Sequence, residues 1–560
     1  MNRFFSVAAI SASFAVAAFA QQANLSRELK NIDPNAKVDV IVQYRQKPNL
    51  ADYLSVANLG GLLRRELGVI RSAAFSVPAG NLQTLAADPN VAAIVPDRAV
   101  HMLLDNSTAA VNASAGWNVG LDGSGIGVAV IDSGISEHDD LGGSNGSRIV
   151  YRESFVDSDT NDNFGHGEHV AGIIGGNGTD SKCPQCTRNF SGVAPNVNLV
   201  DLQALDGNGA GTDSSVIAAI DKAILLKSQF NIRVLNISLG RPVYDSYLID
   251  PLCQAVEAAW QAGIVVVVAA GNGGRDNSAN NNGYGTINAP GNDPYVITVG
   301  AMKSMGTPDR SDDLIASYSS KGPTQVDHIV KPDIVAPGNL VSSLLSPNGT
   351  LQYKFRQNAV PLSYYQSTGQ NQASTSYFTL SGTSMAAPVV SGAAALLLQA
   401  HPELSPDQLK ARLMRTAYKQ LPQTSTAVDP ATGQSYTSEY DVFTVGAGYL
   451  DIQAALADNT AFQGSAQSPQ ASYFSLLNLL GSAKVICNSS TVCSPQSILG
   501  TQSIWGTQSI WGTRAIQPDQ SIWGNQSIWG TESIWGTESI WGTTTTDQAE
   551  STSVAINGER

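Results

Sequence analysis

The chain alternates between short, continuous apolar runs and longer stretches in which apolar residues recur at helical spacing. The runs are rich in β-branched residues, which is typical of strands buried on both faces of a parallel sheet. They are GIGVAVI (125–131), VNLVDLQAL (197–205), VLNISLG (234–240), GIVVVVAA (263–270) and YVITVGA (295–301). The helical stretches between them include SSVIAAIDKAILL (214–226) and PLCQAVEAAW (251–260). This repetition predicts an α/β fold of three layers, with a mostly parallel central sheet and helices on both faces.

Four polar residues stand out against this pattern. Asp132 ends the first run in VAVIDSGI, and Asn272 follows a later run in VVVVAAGNGG. His166 lies in GHGEHVAG, and Ser384 in SGTSMAAP precedes an Ala-rich helix with Pro388 expected in its first turn, where proline is tolerated. Because ligands of open parallel sheets gather at the carboxyl ends of the strands, Asp132 and Asn272 lie where chemistry is expected.

Together these side chains supply every group that is needed to attack an amide bond. A serine hydroxyl is a weak nucleophile until an imidazole takes its proton, and the imidazole needs a buried carboxylate to hold its tautomer. A side-chain amide is a suitable donor to the tetrahedral oxyanion. Each residue alone has a plainer interpretation, as a turn residue, a helix cap or a packed histidine. Their joint occurrence in four specific contexts favours the catalytic interpretation.

The order Asp, His, Ser along the chain and the four motifs resemble the subtilisin-like serine proteases, the subtilase family, over about residues 110–457. The resemblance implies that Asp132 orients the base and that His166 is the general base. It implies that Ser384 is the nucleophile and Asn272 the oxyanion donor. The expected protein is a serine endopeptidase of subtilisin-like fold that hydrolyses peptide bonds through an acyl-enzyme, with broad specificity.

The histidine motif departs from the family pattern at one position. GHGEHVAG contains two histidines, and the family places the catalytic one first, so His169 is expected to be a packing residue on the following helix. The family usually has threonine where this chain has Glu168. An acid two residues from the base is expected to affect the pH profile or the local packing, and not the class of reaction.

Substrate-binding residues follow from the same resemblance. One segment is similar to the strand that pairs with the substrate backbone, another to the wall of the first specificity pocket, and residues 206–211 to the opposite wall of the cleft. The residues of the first two segments are Ser238, Leu239, Gly240, Ala269, Ala270 and Gly271.

The first twenty residues predict export. Arg3 supplies a positive start, residues 4–18 form an apolar run, and AFA (18–20) is a small-residue cleavage site, so this is a signal peptide. No later stretch is expected to span a membrane. The location is therefore predicted to be secreted or extracellular, with cell-surface association as a variant.

The segment after the signal has its own strand and helix pattern, in VDVIVQY, VIRSAAFSVP, NLQTLAADP and VAAIVPDRAV. It is similar to the inhibitory propeptide of subtilisin-like proteases, a small α+β domain, and an independent adaptor domain is the alternative. If it is a propeptide, the precursor is a zymogen that is cut between about His101 and Ala110.

The end of the chain consists of a hexapeptide repeat of the type QSIWGT. Because the period is even, extended copies would present their indoles on one face. Such an array suits carbohydrate, cell-surface or partner contacts, and a low-complexity tail packed on itself is the equal alternative. The repeat tryptophans are Trp505, Trp511, Trp523, Trp529, Trp535 and Trp541.

The predicted organisation is a signal peptide (1–20), a propeptide (21–105), a catalytic domain (106–457), a linker (458–495), the repeats (496–543) and a polar tail (544–560).

Composition adds three points. With 560 residues, 42% of them hydrophobic, the chain is long enough for more than one domain, and a net charge of −14 argues against nucleic acid as a partner. No cofactor is expected for the chemistry, while structural calcium is possible, with Asp140 resembling a family ligand. In an exported protein, Cys183 and Cys186 are expected to form a disulfide, Cys487 and Cys493 a second one, and Cys253 a buried thiol.

Two functions other than an active endopeptidase were weighed. A catalytically dead relative used for binding would usually lack one of the four site residues, and none is missing. A surface-attached adhesion or binding protein, in which the Trp repeats dominate, is the second alternative. The predicted partners are polypeptide substrates, the propeptide as an inhibitor, and cell-surface or carbohydrate contacts through the repeats.

Overall fold

A computed structural model describes most of the chain up to residue 486 and one short segment near its end. The described residues are 24–25, 29, 32–34, 36–67, 71–96, 106–144, 146–157, 159–278, 281–367, 371–429, 433–475, 481–486 and 553–559. The predicted signal peptide, the Trp repeats, the Cys487–Cys493 pair and residues 101–105 of the predicted cleavage region lie outside them, whereas residues 106–110 of that region are described. The chain divides into two compact units, residues 1–101 (unit 1) and 102–560 (unit 2), which are described separately.

Unit 1 is a small α+β unit, as the sequence pattern predicted. Its strands are β1 (Asn24–Leu25), β2 (Lys37–Tyr44), β3 (Leu62–Leu67), β4 (Ser72–Pro78) and β5 (Val91–Pro96), and its helices are α1 (Leu50–Asn58) and α2 (Leu82–Ala86). The sheet order is β1-β5-β2-β4-β3, with β2 antiparallel to both neighbours. Val40 and Val42 of β2 and Phe75 and Val77 of β4 are each two positions apart, so each pair lies on one face of its strand, and all four form part of the core.

Unit 2 contains the other strands and helices. Its strands are β6 (Gly127–Asp132), β7 (Gly142–Gly143), β8 (Gly146–Ser147), β9 (Ile149–Ser154), β10 (Asn198–Gln203), β11 (Ile232–Ile237), β12 (Val265–Ala269), β13 (Ile297–Lys303), β14 (Leu314–Ile315), β15 (Ile334–Pro337), β16 (Val341–Leu344), β17 (Ala359–Pro361), β18 (Ala373–Leu380), β19 (Thr424–Val428), β20 (Ser435–Glu439), β21 (Gln470–Ser475) and β22 (Gly481–Ile486). Its helices are α3 (Asn106–Ala110), α4 (Ser114–Trp117), α5 (Gly167–Gly175), α6 (Asp213–Phe230), α7 (Pro251–Gln261), α8 (Thr350–Lys354), α9 (Leu362–Tyr365), α10 (Thr383–Ala400), α11 (Pro406–Thr416), α12 (Val442–Val445) and α13 (Ile452–Ala457).

The central sheet of unit 2 has the order β14-β13-β12-β11-β6-β10-β9, with β15 also paired to β13. Its pairs are parallel except for the short β14, so the predicted strands are confirmed as one mostly parallel sheet. Every residue of β6, β12 and β13 is buried, because helices cover both faces of the sheet. Helices α5 and α10 pack on each other and on the sheet, and α6 packs with α7 in the same way, which gives the three-layer α/β fold.

Helix α10 lies at the centre of unit 2. Among the described residues it is the one helix whose length and composition would suffice to cross a membrane, which the sequence-based expectation overlooked. Because 89% of its 18-residue window is buried, its apolar character is explained by its place in the core.

The segment after α13 was predicted to be a linker, and its described part packs onto unit 2. Phe462, Ala466 and Ala471 are buried beside Met414 and Phe443. These apolar residues are spaced through a polar stretch, so the composition of the segment as a whole did not reveal the packing.

Candidate active site

Asp132 and His166 form a buried pair at the carboxyl edge of the sheet. Asp132 is the last residue of β6, and His166 immediately precedes α5. Nδ1 of His166 donates to Oδ1 of Asp132 over 2.7 Å, and the two residues are 3% and 1% exposed. Burial by itself would lower the pKa of His166, but the charge and hydrogen bond of Asp132 act in the opposite direction, and the pKa is raised above its ordinary value.

A second carboxylate, Asp162, holds this pair in place, and the sequence analysis did not single it out. Its Oδ1 accepts hydrogen bonds from Ser133 Oγ (2.8 Å) and from the backbone N–H of Gly165 (2.7 Å). Its Oδ2 accepts from the N–H of Glu168 over 2.7 Å, and Ser133 Oγ in turn accepts from the N–H of Gly167 over 2.9 Å. Asp162 therefore ties the residue after Asp132 to both sides of His166. Burial raises the pKa of Asp162 to about 6.

Glu168, the departure from the family pattern, is fully buried next to this network. Its Oε2 accepts from the backbone N–H of Ser136 over 2.5 Å, whereas Oε1 has no hydrogen-bond partner among the described residues. Burial first, and then the charge of Asp162, raise the pKa of Glu168 well above its ordinary value. This shift favours the neutral acid form of Glu168, in which the site holds no unpaired charge.

The second histidine of the motif has the structural role expected of it. His169 is buried on α5, and its Nε2 lies 3.0 Å and 3.1 Å from the carbonyl oxygens of Val341 and Phe378. Burial lowers the pKa of His169 to about 3, so the ring is neutral over the working range of a protease.

Asn272 is joined to the start of α10. Its Oδ1 accepts from the N–H (2.9 Å) and the Oγ1 hydroxyl (3.2 Å) of Thr383, which fixes the orientation of the amide. The Nδ2 group then faces Gly382, where a Cβ atom would lie 3.2 Å away. Gly382 also has φ +144°, so the residue before Thr383 requires glycine on both grounds.

Ser384 lies in the first turn of α10 and is 6% exposed. The helix begins at Thr383, so Pro388 is in its second turn, one turn later than predicted from the sequence. Proline there leaves the carbonyl of Ser384 without its helical donor. The hydroxyl of Ser238 replaces that donor, at 2.9 Å from the Ser384 oxygen.

The predicted substrate-binding residues lie at the same edge of the sheet. Ser238, Leu239 and Gly240 directly follow β11, and Ala269 ends the neighbouring β12. The backbone N–H of Gly271 donates to Thr383 Oγ1 over 3.1 Å. The structure thus brings both segments to the start of α10. Their contacts with a substrate stay a prediction.

The surroundings of Asp140 do not fit a calcium ion. His138, Asp140 and Asp180 cluster with ligand atoms within 4.8 Å of one another. Both oxygens of Asp140 already accept hydrogen bonds, from the N–H of Asp180 and the hydroxyl of Tyr377, each over 2.8 Å. Both ring nitrogens of His138 are engaged, because Nδ1 accepts from the N–H of Asp140 (3.1 Å) and Nε2 donates to the carbonyl oxygen of Ser376 (3.1 Å). Calcium needs six to eight oxygen ligands, so no step of the chemistry is assigned to a metal here.

The described cysteines behave as expected from an exported chain. Cys183 and Cys186 form a disulfide, and Cys253 is a buried thiol on α7. Burial raises the pKa of Cys253, which keeps the thiol protonated and unreactive.

Comparison with known proteins identifies the family of the chain. A sequence model of the "Subtilase family" matches residues 123–448. The chain is 39% identical to "Serine protease AprX" of Bacillus subtilis (strain 168) over 334 residues, which cover 57% of this chain and 68% of the relative. It is 33% identical to "Subtilisin E" of the same organism over 369 residues, or 65% of this chain and 79% of the relative. A solved structure, "Crystal structure of a cold adapted subtilisin-like serine proteinase", is 31% identical with a TM-score of 0.38, covering 54% of this chain and 86% of that one.

The three-layer α/β fold and the aspartate–histidine pair at the edge of its sheet define a hydrolase of the serine-protease type. The chain belongs to the subtilase family. It is a subtilisin-like serine endopeptidase, and its substrates are polypeptides.

Proposed function

We propose that Asp132, His166 and Ser384 form the catalytic triad and that hydrolysis proceeds through an acyl-enzyme on Ser384. The observation that carries the proposal is the buried 2.7 Å hydrogen bond between His166 Nδ1 and Asp132 Oδ1. Because Nδ1 carries the proton in that bond, the lone pair of the neutral ring is on Nε2, which is the atom that a general base requires.

In the proposed reaction, Ser384 Oγ gives its proton to His166 Nε2 and attacks the peptide carbonyl carbon. The carbonyl oxygen becomes an oxyanion that accepts a hydrogen bond from Asn272 Nδ2, whose orientation is supported by the contacts of Oδ1 with Thr383. The imidazolium protonates the leaving amine, and the acyl-enzyme remains. Water then gives a proton to His166 Nε2 and attacks the carbonyl carbon of the acyl-enzyme. The bond to Ser384 Oγ breaks, the carboxylic acid product leaves, and Ser384 Oγ regains its proton from His166.

The position of Ser384 favours this assignment further. It lies in the first turn of an 18-residue helix whose positive dipole end favours charge that develops nearby. Ser238 supports the same turn through the carbonyl of Ser384. Small residues at 269–271 and backbone pairing at 238–240 are expected to give broad specificity for extended polypeptide.

Asp132→Asn tests the triad with little change in shape. Because the amide cannot hold the required tautomer of His166, kcat is expected to fall by about 10⁴-fold with a KM close to that of the wild type. Asp139→Asn is the matched control, since Asp139 is an exposed carboxylate seven positions along the same segment. Peptide hydrolysis by Asp132→Asn within tenfold of the wild type would contradict the assignment.

We also propose that the protein is exported and that unit 1 is its inhibitory propeptide. The apolar N-terminal run supports export, and the α+β fold of unit 1 is the kind of domain that the family resemblance led us to expect. The test is the N-terminal sequence and mass of the protein recovered outside the producing cell. Mature wild type should begin between about residues 101 and 110, whereas Ser384→Ala should retain unit 1. A Ser384→Ala variant that matures at the normal rate would contradict self-processing.

A further inference from the structure

A short segment near the end of the sequence is packed into unit 2. Residues 553–557 form a helical turn, and Gly558 and Glu559 follow it without regular secondary structure. Val554 and Ile556 are buried, at 3% and 6% exposed, and belong to the main core of unit 2. We call residues 553–559 the docking segment.

The backbone of the docking segment is held by specific hydrogen bonds. The side-chain amide of Asn339 accepts from the N–H of Glu559 over 2.7 Å and donates to its carbonyl oxygen over 2.6 Å. The N–H of Ser381 donates to the carbonyl oxygen of Ala555 over 2.9 Å. Such a two-point contact by Asn339 recognises the backbone in one register only.

The side chain of Glu559 enters a cationic pocket and is 1% exposed. Its Oε2 accepts from the backbone N–H of Ser317 over 2.7 Å. Lys303 Nζ lies 3.4 Å from Oε1, and Arg275 Nη2 lies 3.9 Å from Oε2. A buried carboxylate is tolerated only with partners of this kind, so the pocket is matched to an acidic side chain.

Glycine is required at position 558. Gly558 has φ +58°, and a Cβ atom there would lie 2.5 Å from Ser381 Oγ. Ser381 is three residues before Ser384, and its Oγ also accepts from the N–H of Leu340 over 2.8 Å. The docking segment therefore packs against the turn that leads from β18 into the nucleophile helix.

The chain before the predicted repeats is also attached to unit 2. The N–H of Val330 donates to the carbonyl oxygen of Pro469 over 2.8 Å, and the N–H of Ala471 donates to that of His328 over 2.7 Å. Residues on both sides of the segment 487–552 are thus in contact with the same unit.

We propose that unit 2 contains a binding site for residues 553–559 of its own chain, centred on Asn339 and Lys303. Docking at this site supports the turn that precedes Ser384 and links the predicted repeats 496–543 to the catalytic unit at both ends. The recognised features are two apolar side chains, a glycine in the left-handed region and a glutamate one position after it.

Removal of residues 553–560 tests the site. In the Ser384→Ala background, which prevents self-cleavage, the truncated protein should have a Tm lower by about 3 °C or more, because Val554 and Ile556 no longer fill the core. A synthetic peptide of residues 551–560, added in trans, should bind the truncated protein in calorimetry and restore the Tm. The same peptide with Glu559→Gln should bind at least about tenfold more weakly.

Point variants of the full chain provide the matched comparison. Glu559→Gln and Gly558→Ala should each lower the Tm, whereas Asn557→Ala should not, because Asn557 is exposed. An unchanged Tm on truncation, or equal binding of the Glu and Gln peptides, would overturn the proposal. If the segment instead docks on a second copy, the full-length protein will elute as a dimer that the truncated one does not form. The proposal that the segment binds unit 2 of its own chain is then wrong.

Discussion

At the scale of single residues, the site contains several buried carboxyl groups that differ in how tightly they bind a proton. Asp132 pairs with His166, whereas burial raises the pKa of Asp162, Glu168 and Asp201. The carboxyl groups with a raised pKa bind their protons more tightly in the folded chain than in the unfolded one, so they oppose stability as the pH rises. The pH dependence of stability should therefore be sensitive to these three carboxyl groups.

The acid limb of the activity profile should reflect His166. Protonated imidazole cannot accept a proton from Ser384, so kcat/KM rises with pH through the His166 pKa, and the midpoint should lie above the ordinary value of 6.5. Asp162 is one of the charges that raise this pKa, so Asp162→Asn should move the midpoint to lower pH. The exposed Asp139→Asn should leave it in place. A midpoint below 6.5 in the wild type would contradict the electrostatic argument.

Glu168→Gln should change stability more than activity. Because the raised pKa favours the neutral form of Glu168, the variant should keep kcat/KM at pH 7 within about threefold and leave the acid limb unmoved. As the pH rises above the ordinary pKa of a glutamate, the unfolded chain releases a proton that the folded wild type holds more tightly, so stability falls with pH. Tm measurements in the Ser384→Ala background should show a smaller fall in Glu168→Gln than in the parent. An equal fall in both would show that Glu168 is ionised in the native state.

At the scale of elements, helix α10 and the residues that follow its neighbouring strands hold the proposed site residues in position. Thr383 fixes the amide of Asn272, and Ser238 after β11 replaces the hydrogen bond that Pro388 removes from α10.

Beyond the site, Asp333 at the start of β15 joins α11 and the segment after α13 to the sheet. It lies 2.7 Å from Lys331 Nζ and 3.2 Å from Lys410 Nζ, and it accepts from Ser468 Oγ.

Asp333→Asn should be strongly destabilising. Both lysine side chains are fully buried, so removal of the carboxylate leaves uncompensated cations at a cost of about 3–5 kcal/mol. Burial already lowers the pKa of Lys410 to about 7 in spite of Asp333. Urea unfolding in the Ser384→Ala background measures the effect, with the exposed Asp309→Asn as a control expected within about 0.5 kcal/mol of the parent. A loss below 1 kcal/mol for Asp333→Asn would show that the cluster contributes little.

At the scale of the whole molecule, every residue proposed or predicted to take part in the chemistry lies in unit 2. All four proposed catalytic residues and all six predicted substrate-binding residues lie between residues 132 and 384 of that unit. The predicted repeats supply none of them. We therefore expect the predicted repeats to be dispensable for peptide hydrolysis.

Deletion of residues 496–543 should leave catalysis intact. The variant keeps every proposed site residue and the docking segment, with about 18 residues between Ile486 and Ser553, enough to span roughly 60 Å when extended. Its kcat/KM on a peptide substrate should lie within about threefold of the wild type, and its Tm should exceed that of the protein lacking 553–560. A loss of activity above tenfold at an unchanged Tm would assign the repeats a part in hydrolysis.

Periodicity was sufficient for β6, β10, β11, β12 and β13 of the central sheet and for helices α6 and α7, whereas β9, β14 and β15 were not predicted. Local motifs singled out Asp132, His166, Asn272 and Ser384, whose catalytic roles stay a prediction. Each depends on interactions within a few residues or on a pattern of burial that repeats along the chain, so it can be predicted before the chain folds. The start of α10 was placed two residues too late, at Met385 in place of Thr383, because Pro388 suggested a first turn that the compensation by Ser238 made unnecessary.

Only the tertiary structure identified Asp162 as the residue that holds Asp132 and His166 together, Asp333 as the centre of a buried cluster, and the site that receives Glu559. In each case at least one partner is far away in sequence, by 29 positions for Ser133 and Asp162, by 135 for Ser468 and Asp333, and by 242 for Ser317 and Glu559. No local pattern records such a pairing, since the charge or hydrogen bond of a buried polar group is decided by whichever backbone or side chain the fold brings to it.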